Sequence, residues 1–245
     1  MKKNFTLITA LLISLFSITA NAQDDQPVAK SYMAFIGGLS MPLGDYGSTN
    51  YANNNAGFAK RGEAFSLDFG IYLHKNFAIG VTLGLQDQGE LTAADAQNLA
   101  NGYNTSFIKN QTSVTSVGRF SNMVLMAGPQ YTFLYKKFTF DVRADAGIIK
   151  SFTTPATTIV FDYSSNSGAT YNQESSGAAA LAYGGSLGIR YTLSDSWDVG
   201  VKFNYISSSG LKISNTGGDT GTTGRFQTNM PVALLQPMAA ITLKF

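Results

Sequence analysis

Apolar and polar residues alternate with a period of two through most of the chain after residue 30. In the clearest stretch, Phe138 to Ile148, the even positions are apolar and the odd positions include Asp141, Arg143 and Asp145. Side chains of a β-strand point alternately to opposite faces, so this pattern predicts a strand with one apolar face and one charged face. A soluble sandwich would bury the apolar face, whereas a membrane-spanning barrel turns it toward lipid.

The lengths of the connections distinguish these two folds. Between eight predicted strands, three short connections (74–76, 135–137 and 194–196) alternate strictly with four long ones (about 42–63, 87–121, 150–177 and 207–230). Transmembrane barrels have short periplasmic turns at one end and long extracellular loops at the other. The predicted fold class is therefore all-β: an eight-stranded antiparallel up-and-down transmembrane barrel around a polar interior. Ten strands, and either register of the first strand, remain open.

Composition supports this inside-out arrangement. Charged residues make up 13% of the chain, against about a quarter in soluble domains. The long connections are rich in Gly, Ser, Asn and Thr, which predicts mobile, water-facing loops with no core of their own. Within them, Thr157–Tyr163 is predicted to pair with Ala169–Ser175, and Thr92 is predicted to cap a short helix ending near Ala100.

The N-terminus has the pattern of a secretory signal. Two lysines precede an apolar run from Phe5 to Ala20, and small residues stand at Ala20 and Ala22. This pattern predicts a Sec-type signal peptide over residues 1–22, cleaved between Ala22 and Gln23. A short polar arm would occupy residues 23–29 and the barrel residues 30–245. The expected location is the outer membrane of a Gram-negative-type cell.

The polar faces of the predicted strands carry four acids and four bases. They are Asp68, Asp141, Asp145 and Asp198, and Arg143, Arg190, Lys202 and Lys244. An eight-stranded barrel has an interior that side chains just fill, so we predict a paired charge network that leaves no large permanent pore. The alternative is that these residues solvate a water-filled lumen.

Several chemistries find little support in the sequence. The chain has no cysteine, which excludes disulfides and thiolate metal sites, and its net charge of +2 gives no basic surface for nucleic acid. The one histidine, His74, falls in a predicted periplasmic turn, where it is badly placed for catalysis on outer-leaflet lipid. We therefore expect no cofactor, no metal and no enzymatic activity.

The chain resembles the outer-membrane protein β-barrel family of small OmpA/OmpX-type barrels. The resemblance lies in the signal peptide, the opening strand and turn from Ala34 to Tyr46, and a final strand that ends in Phe245. It implies outer-membrane lipid as the surroundings. It also implies that Ile241, Leu243 and Phe245 are recognised by the barrel-assembly machinery during insertion.

The expected role is structural or one of surface interaction, with the four long loops available to a partner whose identity, like the oligomeric state, the sequence leaves open. A narrow channel for small solutes or ions is the main alternative. A lipid-modifying enzyme and a soluble periplasmic lipid carrier, the latter with its apolar faces inward, are further alternatives.

Overall fold

The computed structural model describes residues 29–50, 53, 55–106, 111–162, 169–217 and 225–245. The predicted signal peptide, its cleavage site between Ala22 and Gln23, and the predicted arm as far as residue 28 lie outside the described residues. The described elements, in chain order, are β1 (Tyr32–Pro42), α1 (Gly44–Gly47), β2 (Gly62–His74), β3 (Phe77–Glu90), α2 (Ala93–Ser106), β4 (Gln111–Val117), β5 (Arg119–Tyr135), β6 (Phe138–Thr153), β7 (Ala156–Asp162), β8 (Ala169–Gln173), β9 (Ala179–Thr192), β10 (Trp197–Ser208), β11 (Leu211–Gly217), β12 (Arg225–Met230) and β13 (Ala233–Lys244).

Eight of the strands close into an antiparallel barrel in the order β1-β13-β10-β9-β6-β5-β3-β2. The predicted fold class is thus confirmed. The first strand, whose register the sequence left open, turns Tyr32, Ala34 and Ile36 into the interior and leaves Phe35 59% exposed on the outer wall. Its pairing with β13 joins the two ends of the barrel, with Phe35 opposite Ile241.

The outer wall is apolar. Large side chains such as Phe65 (62% exposed), Leu181 (69%) and Ile241 (55%) point away from the interior. This contradicts the alternative of a soluble lipid carrier, which requires the apolar faces inside. Among the described residues, no helix is both long enough and apolar enough to cross a membrane.

The remaining five strands form a second sheet in the order β12-β11-β8-β7-β4. Each of them is connected along the chain to one barrel strand through a break of one to five residues. The connected pairs are β12 with β13, β11 with β10, β8 with β9, β7 with β6 and β4 with β5, so the two sheets have the same strand order. The second sheet therefore prolongs five adjacent barrel strands beyond the long-loop rim, and we call it the wall extension. The predicted β7–β8 pairing is confirmed, but the prediction of mobile loops is wrong for these strands.

The residues at the breaks explain how a sequence rich in Ser and Thr becomes ordered here. The hydroxyl of Ser208 accepts bonds from the backbone N–H groups of Gly210 and Val232, at 3.2 and 3.0 Å. Thr154 accepts from the N–H of Ser176 at 2.9 Å. These hydroxyls satisfy backbone groups where the ladder is interrupted, so the chain passes between a barrel strand and a strand of the second sheet without leaving these groups unpaired.

The connection between β3 and β5 holds the predicted helix and a further strand. Helix α2 begins after Thr92, whose hydroxyl accepts from the backbone N–H of Asp95 at 3.3 Å, and the predicted cap is thereby confirmed. The helix continues past the predicted end to Ser106. Strand β4 pairs with β7 in the wall extension, so in the described residues this connection adds no strand to the barrel itself.

Candidate functional site: the barrel lumen

The eight charged residues predicted to face the lumen do so. They stand on the inward positions of β2, β6, β9, β10 and β13, and none of their side chains is more than 12% exposed. Ion-pair contacts divide them into two sets, each with two acids and two bases. Each set is therefore neutral, which limits the cost of holding charge away from bulk water.

The first set is centred on Arg143 and Asp68. Arg143 Nη1 donates to Asp68 Oδ1 at 2.8 Å, and Nη2 donates to Oδ2 at 3.1 Å, a bidentate arrangement. Lys202 Nζ lies 2.7 Å from Asp68 Oδ1, and Arg143 Nη1 lies 3.9 Å from Asp145. The Arg143–Asp145 contact is too long for a hydrogen bond, and both contacts are ion pairs by distance. The bidentate pair therefore fixes the geometry, and the other two charges balance it.

The second set lies nearer the short-turn end and is centred on Arg190. Its Nε donates to Asp141 Oδ2 at 2.8 Å, and its Nη1 donates to Asp198 Oδ2 at 3.3 Å. Lys244 Nζ completes the set at 2.6 Å from Asp198 Oδ1. Because β13 follows directly on β10 around the barrel, this contact ties the last strand to its neighbour inside the lumen.

Two uncharged residues connect the sets. Gln130 Oε1 accepts from Arg143 Nη2 at 2.7 Å, while Gln130 Nε2 donates to Asp141 Oδ1 at 3.1 Å. The hydroxyl of Tyr32 donates to Asp68 at 3.2 Å, and the guanidinium carbon of Arg190 lies 4.2 Å from the centre of the Tyr32 ring. The charges and their bridges thus form one continuous network across the barrel.

Little free space remains at this level. A cavity of about 20 Å³ lies between Tyr32, Asp68, Asp141, Arg190 and Lys202, which is room for about one water molecule. The geometry can therefore hold buried charge with little free space between the charged side chains.

A layer of neutral polar side chains covers the charge network on the side of the long loops. Gln236 Nε2 donates to Gln86 Oε1 at 2.5 Å, and Gln88 Nε2 donates to Ser40 Oγ at 2.7 Å. Tyr46 enters this layer from α1: its hydroxyl donates to Gln88 Oε1 at 3.3 Å and accepts from Asn122 at 3.2 Å. We did not predict this layer. The inward positions of Gln86 and Gln236 follow from strand alternation, but nothing in the sequence indicates that Tyr46 returns into the lumen.

Above this layer the interior is apolar. A buried cluster joins barrel residues such as Phe120, Ile149 and Leu234 to residues of the wall extension such as Leu211 and Ile213, each at most 3% exposed. The prediction of a polar interior is therefore wrong for this end of the lumen. A mostly apolar core fills the region where the barrel and the wall extension meet.

A contact between two long connections lies outside the lumen. Lys60 Nζ is 2.6 Å from Asp95 Oδ2, and the carboxylate also accepts from the N–H of Thr92 at 2.9 Å. Partial burial acts to raise the pKa of Asp95, but the bonds from Lys60 and Thr92 outweigh it and hold the pKa below its ordinary value. The ionised carboxylate thus links the first long connection to the start of α2.

The other residues singled out from the sequence lie on the surface. Ile241 and Phe245 face outward, 55% and 71% exposed, and Leu243 shares their face with partial exposure. His74 is exposed at the end of β2, away from the lumen network. Within the described part of the chain, no group of three His, Cys, Asp or Glu residues is arranged to hold a metal ion.

Comparison with known proteins gives one family and several similar folds. The model of a family described as the outer membrane protein beta-barrel domain matches residues 8–230. Similar solved structures include Neisserial surface protein A (12% identity, 88% of this chain and 97% of that chain covered, TM-score 0.47). They also include Ail of Yersinia pestis (12%, 89% and 99%, 0.44) and the outer membrane protease OmpT of Escherichia coli (9%, 92% and 99%, 0.37). No curated protein matches the chain.

Proposed function

The chain belongs to the outer membrane protein β-barrel family, and we propose that it is a closed, non-catalytic barrel of the outer membrane that presents its wall extension for recognition at the cell surface. A Sec-type signal peptide over residues 1–22 would deliver it to the periplasm, and the barrel-assembly machinery would insert it through the final strand that ends Ile241, Leu243, Phe245.

The filling of the lumen carries the first part of this proposal. The charge network, the neutral polar layer and the apolar core follow one another along the barrel axis. A conducting path would have to cross the network, where the remaining cavity is about 20 Å³, and then the apolar core, which hydrated ions enter only at a large free-energy cost. This arrangement supports a closed barrel over a narrow channel.

Conductance across a planar bilayer tests this part of the proposal. We expect the purified, folded protein to give no reproducible current steps, large or small, over a range of voltages and salt concentrations. A double variant, Asp68→Asn with Arg143→Gln, keeps the first set neutral and should be equally silent. Reproducible steps in the wild type that change in size in this variant would contradict the proposal and favour the channel.

The wall extension supports the second part. Recognition sites commonly lie on loops held by a rigid scaffold, and here five paired strands continue the barrel wall beyond the long-loop rim. Hydroxyl-bearing side chains dominate β4, with the sequence QTSVTSV. An ordered polar sheet of this kind loses less conformational entropy on binding than mobile loops would.

A variant without the β7–β8 hairpin tests recognition. Cells would display either the wild type or a chain in which residues 156–175 are replaced by Asn-Gly, with folding of both checked by heat-dependent mobility on gels. We expect the wild type to bind components of an array of surface glycans and proteins, and the variant to lose that binding. Equal binding by both chains, or no binding by the wild type, would contradict a recognition role for the wall extension.

A further inference from the structure

Lysines are concentrated at the short-turn end of the barrel. Lys30 precedes β1, Lys75 lies between β2 and β3, and Lys136 and Lys137 form the turn between β5 and β6. The acidic residue in the described turns at this end is Asp195. The long-loop end is mixed in sign, as the Lys60–Asp95 and Arg119–Asp87 pairs show. The short-turn end is thus the more basic of the two.

Two of these lysines occupy backbone positions that lysine rarely takes. The φ angles of Lys75 and Lys136 are +36° and +56°. Tight hairpin turns normally place Gly, Asn or Asp at such positions, because a longer side chain costs about 1 kcal/mol there. The turns therefore keep a cation at positions where a less costly residue would make the same turn.

The side chains of the turn lysines lie over outward-facing aromatic rings near the short-turn end of the barrel. Lys136 Nζ lies 5.4 Å from the centre of the Tyr135 ring, and Lys137 Nζ lies 5.9 Å from that of Tyr191. Both rings face outward, 62% and 37% exposed. Aromatic side chains at the rim of a membrane barrel lie at the level of the lipid headgroups. The two ammonium groups therefore lie beside the headgroups that surround the barrel.

We propose that Lys136 and Lys137 form a binding site for the phosphate of anionic glycerophospholipids, of which phosphatidylglycerol is the test case, in the periplasmic leaflet. Each ammonium offers three donors to phosphate oxygens, and a lysine near an anionic lipid surface is attracted to it by about 1 kcal/mol, or about fivefold in affinity. Phe138 packs edge-on against Tyr191, with ring centres 5.2 Å apart. The two rings together give an apolar surface beside the lysines, on which the acyl chains would lie.

Fluorescence quenching by brominated lipid tests this site, because the chain has a single tryptophan close to it. Trp197 faces outward on β10, the strand next to the one that carries Tyr191. The folded protein would be placed in phosphatidylcholine vesicles that contain an equal mole fraction of brominated phosphatidylglycerol or brominated phosphatidylcholine. We expect stronger quenching by the brominated anionic lipid, and we expect high salt to weaken the difference.

Variants test whether the two lysines cause the preference for the anionic lipid. In K136Q/K137Q the preference for the anionic lipid should fall at least tenfold, at about fivefold per lysine, and K136R/K137R should keep most of it. The matched control K150Q/K212Q removes two exposed lysines at the opposite end and should leave the preference unchanged. Equal quenching by both lipids in the wild type, or a preference that survives in K136Q/K137Q, would overturn the proposal. Heat-dependent mobility would confirm that each variant is folded.

Discussion

Replacement of Arg143 by Met measures how far the lumen is shielded from water. The side chain is 1% exposed and donates to Asp68, Tyr32, Thr82 and Gln130 at 2.7–3.1 Å. Its loss leaves Asp68, 2% exposed, with Lys202 as its remaining ion-pair partner at 2.7 Å. Removal of one partner from a buried pair costs about 3–5 kcal/mol. Because Lys202 still offsets part of the charge, we expect a loss near the lower end, about 3 kcal/mol.

The measurement is urea unfolding in lipid vesicles, followed through the fluorescence of Trp197. A matched control exists on the surface: Arg119 pairs with Asp87 at 2.7 Å, but the two side chains are 63% and 36% exposed. Arg119→Met should therefore cost at most about 1 kcal/mol. The double variant D68N/R143M leaves Asp145 and Lys202 as the charges of the first set, which is then neutral again, whereas R143M leaves an excess negative charge. The double variant should therefore be more stable than R143M.

A loss in R143M no larger than that in R119M would refute the argument. It would mean that water reaches the charge network and screens it as it screens the surface pair. The lumen would then be hydrated at this level, and the case for a closed barrel would lose its main support.

Three further predictions concern Gly80, Tyr46 and Asp95. A Cβ at Gly80 would overlap the guanidinium of Arg143 and displace it from its partners, so Gly80→Ala should cost about 2 kcal/mol in urea unfolding. At Gly188 a Cβ would meet Asp141 at an ordinary 3.5 Å, and Gly188→Ala should stay within about 0.5 kcal/mol of the wild type. Tyr46→Ala should destabilise by about 3–5 kcal/mol through the cavity it leaves, whereas Tyr46→Phe should cost about 1 kcal/mol. The depressed pKa of Asp95 means that its contribution is complete above the ordinary carboxyl pKa of about 4 and is lost as the pH falls through the folded value. The protection of the amides at the start of α2 against hydrogen exchange, taken relative to the intrinsic rate at each pH, should therefore fall on acidification below about pH 4, and Asp95→Asn should show the lower protection already at neutral pH.

The barrel was predictable because its two strongest signals are local. Strand alternation puts Arg143 and Asp145 on the opposite face from Val142 and Ala144, and the lengths of the connections then decide which face is inside. The same alternation placed all eight charged residues in the lumen. It could not show which acid meets which base, since Asp68 and Arg143 are 75 positions apart and their contact depends on the closure of the whole barrel.

Apart from its β7–β8 hairpin, the wall extension was missed for a physical reason. Its strands are rich in Thr, Ser and Asn, residues whose side chains favour turns when no sheet is available. Once five barrel strands stand side by side, however, their continuations are already aligned, and the β-branched Thr and Val residues of β4 and β7 then favour pairing. The role of Gly80 was hidden in the same way, because the side chain that occupies its missing Cβ comes from a strand far away in sequence.

The two ends of the lumen place different demands on the chain. At the short-turn end the charge network is neutral within itself, and charged side chains tolerate contact with water. At the other end Phe120, Ile149, Leu211 and Val232 form an apolar core, and without a cover their faces would meet water at a cost of about 25 cal/mol per Å². The wall extension supplies part of that core through β11, so its inner face is committed to the stability of the barrel. The recognition that we propose at the cell surface would then fall to its outer face, its free edges and the connections between its strands, and substitutions there should change binding without changing the stability of the barrel.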